Sequence, residues 1–169
     1  SKAQFFLGEI FYLGKYIKID VDKSIYYLSL SANQNDQYAQ YLLGLIYFED
    51  KYIQRDIYKS IKYFSLSAHQ NNSQSQFYLG FIFYKGISVN VNINNAINYF
   101  TLSANQNNRD AQYFLGEIFY EGKYVQRNIN KSIHFLTLSS NQNNSYAQYL
   151  LGAIFYVAED IPHDINKSI

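Results

Sequence analysis

The sequence of 169 residues contains no cysteine, which excludes disulfide bonds, thiol catalysis and thiolate metal sites. Proline occurs once, and methionine and tryptophan are absent. No apolar run approaches the roughly 18–20 residues that span a bilayer, since the longest, YLLGLIYF at residues 41–48, has eight. We therefore expect no membrane insertion. The lack of cysteine is compatible with the cytosol, so we expect a cytoplasmic location, with the ER lumen or secretion as alternatives.

A strong charge of either sign is also missing. Lys and Arg total 14 and Asp and Glu total 13, which gives a formal net charge of +1. Proteins that bind nucleic acids usually carry a marked basic excess, because phosphate contacts dominate their affinity. We therefore expect no nucleic-acid partner.

The sequence does contain one 36-residue unit that is repeated along the chain. AQFFLGEIFYLG at residues 3–14 returns as AQYFLGEIFYEG at residues 111–122, with ten of the twelve letters unchanged. Each unit has a glycine that follows Leu and precedes Ile by two residues. These glycines are Gly8, Gly44, Gly80, Gly116 and Gly152. A fixed period of 20–50 residues is typical of stacked repeat arrays.

Each unit predicts two helices, which we call helix A and helix B. In the first half of a unit, apolar residues recur at spacings of three and four, as at Ala39, Leu42, Leu43 and Ile46, and the second half shows the same spacing. An Asp or Asn stands one residue before each helix B, where it can cap the first turn. The predicted caps are Asp20, Asp56, Asn92, Asn128 and Asp164.

Two kinds of glycine have different predicted roles. Gly14, Gly86 and Gly122 are expected to end helix A, where a left-handed residue is favoured. The five glycines inside helix A would each cost about 1 kcal/mol relative to alanine. Their recurrence therefore predicts that the packed partner helix approaches the bare backbone closely.

Residues for catalysis or metal binding are not brought together by the repeat. The three histidines, His69, His134 and His163, fall in different repeats and at different positions of the unit, whereas a metal site needs convergent ligands. No phosphate-binding, nucleophile-elbow or zinc-protease motif occurs. We expect no enzyme activity, no metal and no cofactor.

The repeated residues resemble those of the Sel-one-like repeat family, which belongs to the tetratricopeptide-type α-solenoids. The shared pattern is Ala-x-x-x-Leu-Gly-x-x-Tyr/Phe, a Gly at the helix end, an Asp/Asn cap, Lys-Ser/Ala-Ile, an aromatic pair and Ser-Ala-x-Gln. The chain departs from it at Asp50 and Ala158, which replace the helix-ending Gly, and in the fifth loop, which holds Pro162.

The resemblance implies an all-α fold, a right-handed α-solenoid of antiparallel helix pairs, as one domain over residues 1–169. Its repeats would span residues 1–36, 37–72, 73–108 and 109–144, with an incomplete fifth at 145–169. It also implies a scaffold or adaptor for a protein or peptide, bound on a concave face formed by helix A.

The residues predicted to contact this partner are aromatic at two positions of helix A and varied at a third. They are Phe5, Glu9, Tyr12, Tyr41, Leu45, Phe48, Phe77, Phe81, Tyr84, Tyr113, Glu117, Tyr120, Tyr149 and Tyr156. Aromatic side chains suit recognition surfaces, because they offer a large area at low entropic cost. For each single aromatic, the alternative is that it packs one repeat on the next.

Three alternatives stay open at this point. The chain could be a regulatory or targeting segment of a larger protein whose catalytic domain lies outside it. RNA binding by helical repeats is disfavoured by the charge. Neither end shows a polar capping repeat, so end-to-end self-association or continuation of the array is a further expectation.

Overall fold

The computed structural model describes residues 2–159, with side chains up to residue 156. Within this range the chain forms nine α-helices and no strand. They are α1 (Lys2–Leu13), α2 (Val21–Ala32), α3 (Gln37–Phe48), α4 (Ile57–His69), α5 (Ser73–Lys85), α6 (Ile93–Ala104), α7 (Arg109–Glu121), α8 (Ile129–Ser140) and α9 (Ser145–Glu159). Odd-numbered helices are helix A and even-numbered helices are helix B. The predicted cap Asp164 and the fifth loop with Pro162 and His163 lie outside the described residues.

The chain divides into two compact units, residues 1–106 and residues 107–169. The first contains the hairpins α1–α2, α3–α4 and α5–α6, with α2 packed against α3 and α4 packed against α5. The second contains the hairpin α7–α8, with α9 packed against α8. The predicted all-α fold of paired helices is confirmed, and the prediction of a single domain over residues 1–169 stays a prediction.

The predicted caps begin the B helices. At the start of α2, the Asp20 carboxylate accepts a hydrogen bond from the backbone N–H of Lys23 at 3.0 Å. Asp56, Asn92 and Asn128 make the same bond, three residues along the chain, at the start of α4, α6 and α8. These side chains satisfy backbone donors that have no partner inside the helix.

The helix A ends follow the glycine pattern. Gly86 and Gly122 cap α5 and α7 in the left-handed conformation, with φ of 66° and 64°. In α3, where Asp50 replaces this glycine, the helix ends one residue earlier at an extended Glu49. The glycine therefore extends helix A by one residue rather than deciding whether it forms.

The close approach predicted for the mid-helix glycines is present in both units. A Cβ on Gly44 would lie 2.5 Å from the ring of Phe64 in α4, and one on Gly116 would lie 2.6 Å from the side chain of Leu136 in α8. Gly8 and Gly80 have the same relation to the side chains of Leu28 and Phe100. These helix B side chains are fully buried, so they occupy the volume that a larger residue in helix A would need.

A serine of helix B binds the same glycine from the other helix. The Ser60 hydroxyl donates to the Gly44 carbonyl at 2.9 Å, and Ser24 and Ser132 donate to Gly8 and Gly116 at 2.8 Å. In the third hairpin, Ala96 takes the place of this serine. The hydroxyl can reach the carbonyl only because the two backbones approach closely.

Glutamines link each repeat to the one before it within residues 1–106. The Gln40 side chain is almost completely buried and donates to the Ala32 carbonyl, at the end of the preceding helix B, at 3.2 Å. It also accepts a hydrogen bond at 2.8 Å from Gln70, in the turn that closes its own repeat. The pairs Gln106–Gln76 and, in the second unit, Gln142–Gln112 repeat this last bond at 2.8 Å. The polar tail of the unit is therefore a structural link, which the sequence pattern alone did not indicate.

We predict that Gly44→Ala lowers the free energy of unfolding by up to about 2 kcal/mol. Overpacking against Phe64 would cost about 1–3 kcal/mol, and the better helix propensity of alanine would offset about 1 kcal/mol of it. Gly152→Ala is the matched control, because none of the residues that the structure describes lies within 4 Å of a Cβ there. It should raise stability by up to about 1 kcal/mol. Urea denaturation measures both changes, and an equal shift of both variants in one direction would contradict the packing argument.

Ser75→Ala should stabilise the protein by about 1 kcal/mol. The Ser75 hydroxyl is buried and has no hydrogen-bond partner among the described residues, so its removal abolishes a desolvation penalty. Ser60→Ala should instead destabilise by about 1 kcal/mol, because it removes the bond to Gly44. Thermal or urea denaturation distinguishes the two, and a loss of stability in Ser75→Ala would show that its hydroxyl does have a partner.

Candidate functional site

The candidate site is the surface made by the fifth, ninth and twelfth residues of each repeat, which we call the helix A face. Residues spaced i, i+4 and i+7 lie on one side of a helix. The face includes Phe5, Glu9 and Tyr12 on α1, and its other members occupy the equivalent positions of α3, α5, α7 and α9. At about 100° per residue, the fifth and twelfth positions lie within about 60° of the mid-helix glycine, so they border the interior of the hairpin.

Aromatic residues of the face also pack between repeats in residues 1–106. The Tyr41 ring lies 6.1 Å from Phe64 of its own hairpin and 6.2 Å from Tyr78 of the next repeat. The Phe48 ring lies 5.3 Å from Tyr78 and 6.4 Å from Phe81. These residues are half-buried. Each therefore contributes one edge to the junction between repeats and leaves another edge exposed to solvent.

Tyr84 differs from its counterparts. It is only 8% exposed and its ring packs 6.3 Å from that of Phe100, whereas Tyr12 and Phe48 are half-buried. A side chain with so little exposure offers almost no area to a ligand. The accessible part of the helix A face therefore excludes Tyr84.

The carboxylate of Glu49 lies beside the helix A face where the first and second repeats meet. The Tyr12 hydroxyl donates to Glu49 Oε2 at 3.0 Å, and the Tyr52 ring meets the Tyr12 ring edge-on at 5.9 Å. Burial, followed by the hydrogen bond and charge of Glu49, raises the pKa of Tyr12. The phenol therefore stays neutral and the carboxylate is held beside it.

The second unit has a related arrangement on α7 and α9. The Tyr113 hydroxyl donates to Glu117 one turn along the same helix, and the Tyr113 ring lies 5.9 Å from that of Tyr146. Tyr149 and Tyr156 are 78% and 68% exposed, which makes them the most accessible predicted site residues.

Two arginines border the face and were not found by sequence reasoning. The Arg55 guanidinium lies over the Phe48 ring at 5.6 Å, and that of Arg127 lies over the Tyr120 ring at 5.1 Å. Both stand seven residues after the aromatic residue. The first and third repeats have Ile19 and Val91 at this position. This variation between repeats is the feature of the sequence that could have pointed to the two arginines.

A cleft of about 700 Å3 opens beside Phe5 in the first unit. Its apolar wall includes Phe5, Phe6 and Tyr38, and amide side chains from the turns after α2 and α4 line the opposite side. Tyr38 is exposed and its ring lies 6.3 Å from Phe5. The helix A face therefore continues into a concave region at this junction.

The residues that the structure describes form no cluster of three or more His, Asp or Glu side chains suited to a metal ion. Among them, no helix has both the length and the apolar character needed to cross a membrane. The Nδ1–H group of His69 donates a hydrogen bond to the Ser65 carbonyl at 2.6 Å, and His134 is exposed.

Comparison with known proteins identifies the repeat. The family model of the Sel1 repeat matches the chain five times, at residues 1–36, 37–72, 73–108, 109–144 and 145–169. No curated protein matches the sequence significantly.

Solved structures share the fold. A protective antigen of uropathogenic Escherichia coli strains, with an SLR fold, is 30% identical with a TM-score of 0.87 over 92% of this chain and 33% of its own. A Sel1 repeat protein from Oxalobacter formigenes is 25% identical with a TM-score of 0.82 over 90% of this chain and 62% of its own. The chain thus spans less than two thirds of both. Helicobacter pylori cysteine rich protein B, at 22% identity and a TM-score of 0.61 over 82% of this chain and 99% of its own, shows a similar fold.

The pKa of Tyr41 gives a test of its packing. Burial, and then the charges of Tyr78 and Glu49, raise this pKa from 10.0 to about 12. The unfolded chain releases the phenol proton near pH 10, but the folded chain retains it until about pH 12. The contribution of the neutral Tyr41 phenol to the free energy of unfolding is therefore complete below pH 10, and it is lost as the pH rises from about 10 to 12. Wild type should lose more stability than Tyr41→Phe between about pH 8 and 11 in urea denaturation. Parallel losses in the two proteins would contradict the burial of this phenol.

Proposed function

Because this chain belongs to the Sel1 repeat family, whose members are generally protein–protein interaction scaffolds, we propose that it binds a peptide or protein segment on the helix A face. The supporting observation is that the repeat keeps aromatic side chains half-exposed at two positions of helix A, beside a core that the same helix buries completely. Within residues 1–106, Leu43, Leu79 and Ile82 are among the buried residues, whereas Tyr41, Phe48 and Phe77 keep part of their surface in solvent.

The chemistry of the helix A face supports a protein partner. The fifth and twelfth positions are aromatic in every repeat, and the ninth changes from Glu9 to Leu45, Phe81, Glu117 and Ala153. Rigid aromatic walls around a varied position combine a common contact area with a specific contact in each repeat. A polynucleotide would instead need cations along most of the face. The arginines Arg55 and Arg127 border it, but its ninth position supplies acids and apolar residues.

A non-catalytic role fits the same observations. Sel1 repeat proteins are typically non-catalytic scaffolds, and the buried polar side chains that the structure describes, Ser75 excepted, make hydrogen bonds within the fold. Ser24, Ser60 and Ser132 bind backbone carbonyls of the paired helix. Buried Gln40, Gln76 and Gln112 bind the closing turns.

The test uses a displayed library of random peptides to select ligands, followed by fluorescence anisotropy with purified variants. The face variant carries Leu45→Ser, Tyr149→Ser and Tyr156→Ser. The control variant carries the same exchanges at Leu66, Tyr16 and Tyr58, which are exposed on helix B or in a loop, at 43%, 74% and 73%. We expect the face variant to bind at least about tenfold more weakly and the control to match wild type.

Both variants must keep the helical circular dichroism of wild type. Failure to select any ligand, or equal weakening in the face variant and the control, would overturn a helix A binding site. Weakening in the control alone would move the site to helix B or the loops.

A further inference from the structure

Glutamates and tyrosines occur together on or beside the helix A face in each of the two units. Glu9 and Glu49 belong to the first unit, and Glu117 and Glu121 belong to the second. They stand at the ninth and thirteenth positions of their repeats. In each unit, one of these glutamates accepts a hydrogen bond from a tyrosine. This glutamate is at the thirteenth position of the repeat in the first unit and at the ninth position in the second, so the two units are described separately.

In residues 1–106, the glutamate that lies among tyrosines is Glu49. Its carboxylate accepts the hydrogen bond from Tyr12 at 3.0 Å, and its charge also acts on Tyr41. The Tyr52 ring stands edge-on to Tyr12 and is 37% exposed. The half-buried Glu49 carboxylate therefore lies at the junction of α1 and α3, bonded to Tyr12, whose ring packs against that of Tyr52.

The surroundings of Glu49 contain a cation of the chain itself. The Lys51 ammonium lies 4.6 Å from the centre of the Tyr52 ring, and the hydrogen bond and charge of the Tyr52 hydroxyl, followed by the smaller effect of the Glu49 charge, raise the pKa of Lys51. Neither Glu49 nor Glu9 forms an ion pair with the residues that the structure describes. The site is thus chemically suited to ammonium groups, and its carboxylates are not held by a salt bridge.

In the second unit, Tyr113 is the tyrosine that interacts with the glutamates. Its hydroxyl donates to Glu117, and the negative charges of Glu117 and Glu121 raise its pKa in addition to the larger effect of burial. The Tyr146 ring, 71% exposed, lies 5.9 Å from the Tyr113 ring. Here both glutamates come from α7, and the two rings come from α7 and α9.

A carboxylate beside exposed aromatic faces attracts cations in two ways. The carboxylate accepts charge-assisted hydrogen bonds from ammonium or guanidinium groups, and the negative face of an aromatic ring attracts the same groups within about 6 Å. The Tyr12 hydroxyl fixes the Glu49 carboxylate without neutralising it. An anionic partner would be repelled at both places.

We propose that the helix A face of each unit binds a basic segment, whose Lys or Arg side chains contact Glu49 with Tyr12 and Tyr52 in the first unit, or Glu117 with Tyr113 and Tyr146 in the second. This inference rests on the proposed function and names the chemistry of the partner. Complementary charge raises the association rate and excludes partners of the wrong sign. The nearly neutral chain therefore presents a local preference for cations at these two places.

The test compares three fluorescein-labelled peptides of equal length. The first alternates Lys or Arg with apolar residues, the second replaces each Lys and Arg by Gln, and the third replaces them by Glu. Wild type should bind the basic peptide about tenfold or more tightly than the Gln peptide at low salt, and the Glu peptide least tightly. The preference should shrink as ionic strength rises from about 0.05 M to about 0.5 M, because salt screens exposed charges.

Two isosteric variants assign the effect to the named residues. Glu49→Gln and Glu117→Gln keep an oxygen that can accept the tyrosine hydrogen bond and remove only the charge. Each should weaken binding of the basic peptide by about threefold to tenfold and leave the Gln peptide unaffected. Asp22→Asn is the charge-matched control, because Asp22 is exposed in the first turn of α2, away from the face, and it should bind like wild type.

The outcomes separate this inference from the proposed function. If wild type binds the Gln peptide as well as the basic one, or if both glutamate variants behave like Asp22→Asn, a basic partner is ruled out. The proposed function survives either result provided that ligands selected from the library still depend on Leu45, Tyr149 and Tyr156. Tighter binding of single-stranded RNA than of the basic peptide would overturn both proposals, as would the absence of any peptide binding.

Discussion

The fold depends on how closely helix B approaches helix A at the mid-helix glycine. Leu28, Phe64, Phe100 and Leu136 occupy the space where a side chain of helix A would otherwise lie. The short distance also lets a serine hydroxyl of helix B reach the glycine carbonyl in three of the four described hairpins. Packing therefore fixes this point in all four described hairpins and hydrogen bonding reinforces it in three of them, so the rotation of helix A about its own axis is fixed as well.

That rotation decides which residues of helix A face the interior and which border it. In α3, α5 and α7, the Leu and Ile residues around the glycine are buried between helices, and the fifth and twelfth positions lie at the margin of this buried column. Large aromatic residues at a margin contribute apolar area to the junction between repeats while one edge stays in water. This explains why Tyr41 and Phe48 contact the next repeat and are still partly exposed. Packing and recognition are consequently not exclusive roles for these side chains.

A second set of polar contacts joins neighbouring repeats. Buried Gln40 bridges the end of the preceding helix B and the turn that closes its own repeat. Buried amides are stable only when their donors and acceptors are paired, so each turn has to hold its glutamine in place. The turns thereby link one hairpin to the next at the end of the hairpin opposite the loop that follows helix A. The variable residues of helix A do not take part in these glutamine contacts.

The sequence by itself determined the repeat, the two helices of each unit, the caps at Asp20, Asp56, Asn92 and Asn128, and the close approach at the glycines. These features are either local in the chain or recur in one register, so a single sequence with five copies reveals them. Only the tertiary structure decided that Tyr84 is buried while Tyr12 is half-exposed, that Tyr12 pairs with Glu49, and that Arg55 and Arg127 cover aromatic rings. The physical reason is that burial and ring contacts depend on side chains brought together across a hairpin or a junction of repeats. In the Tyr12–Glu49 pair, the partner comes from the following repeat and takes a different position in it, which a pattern of identical spacings cannot show.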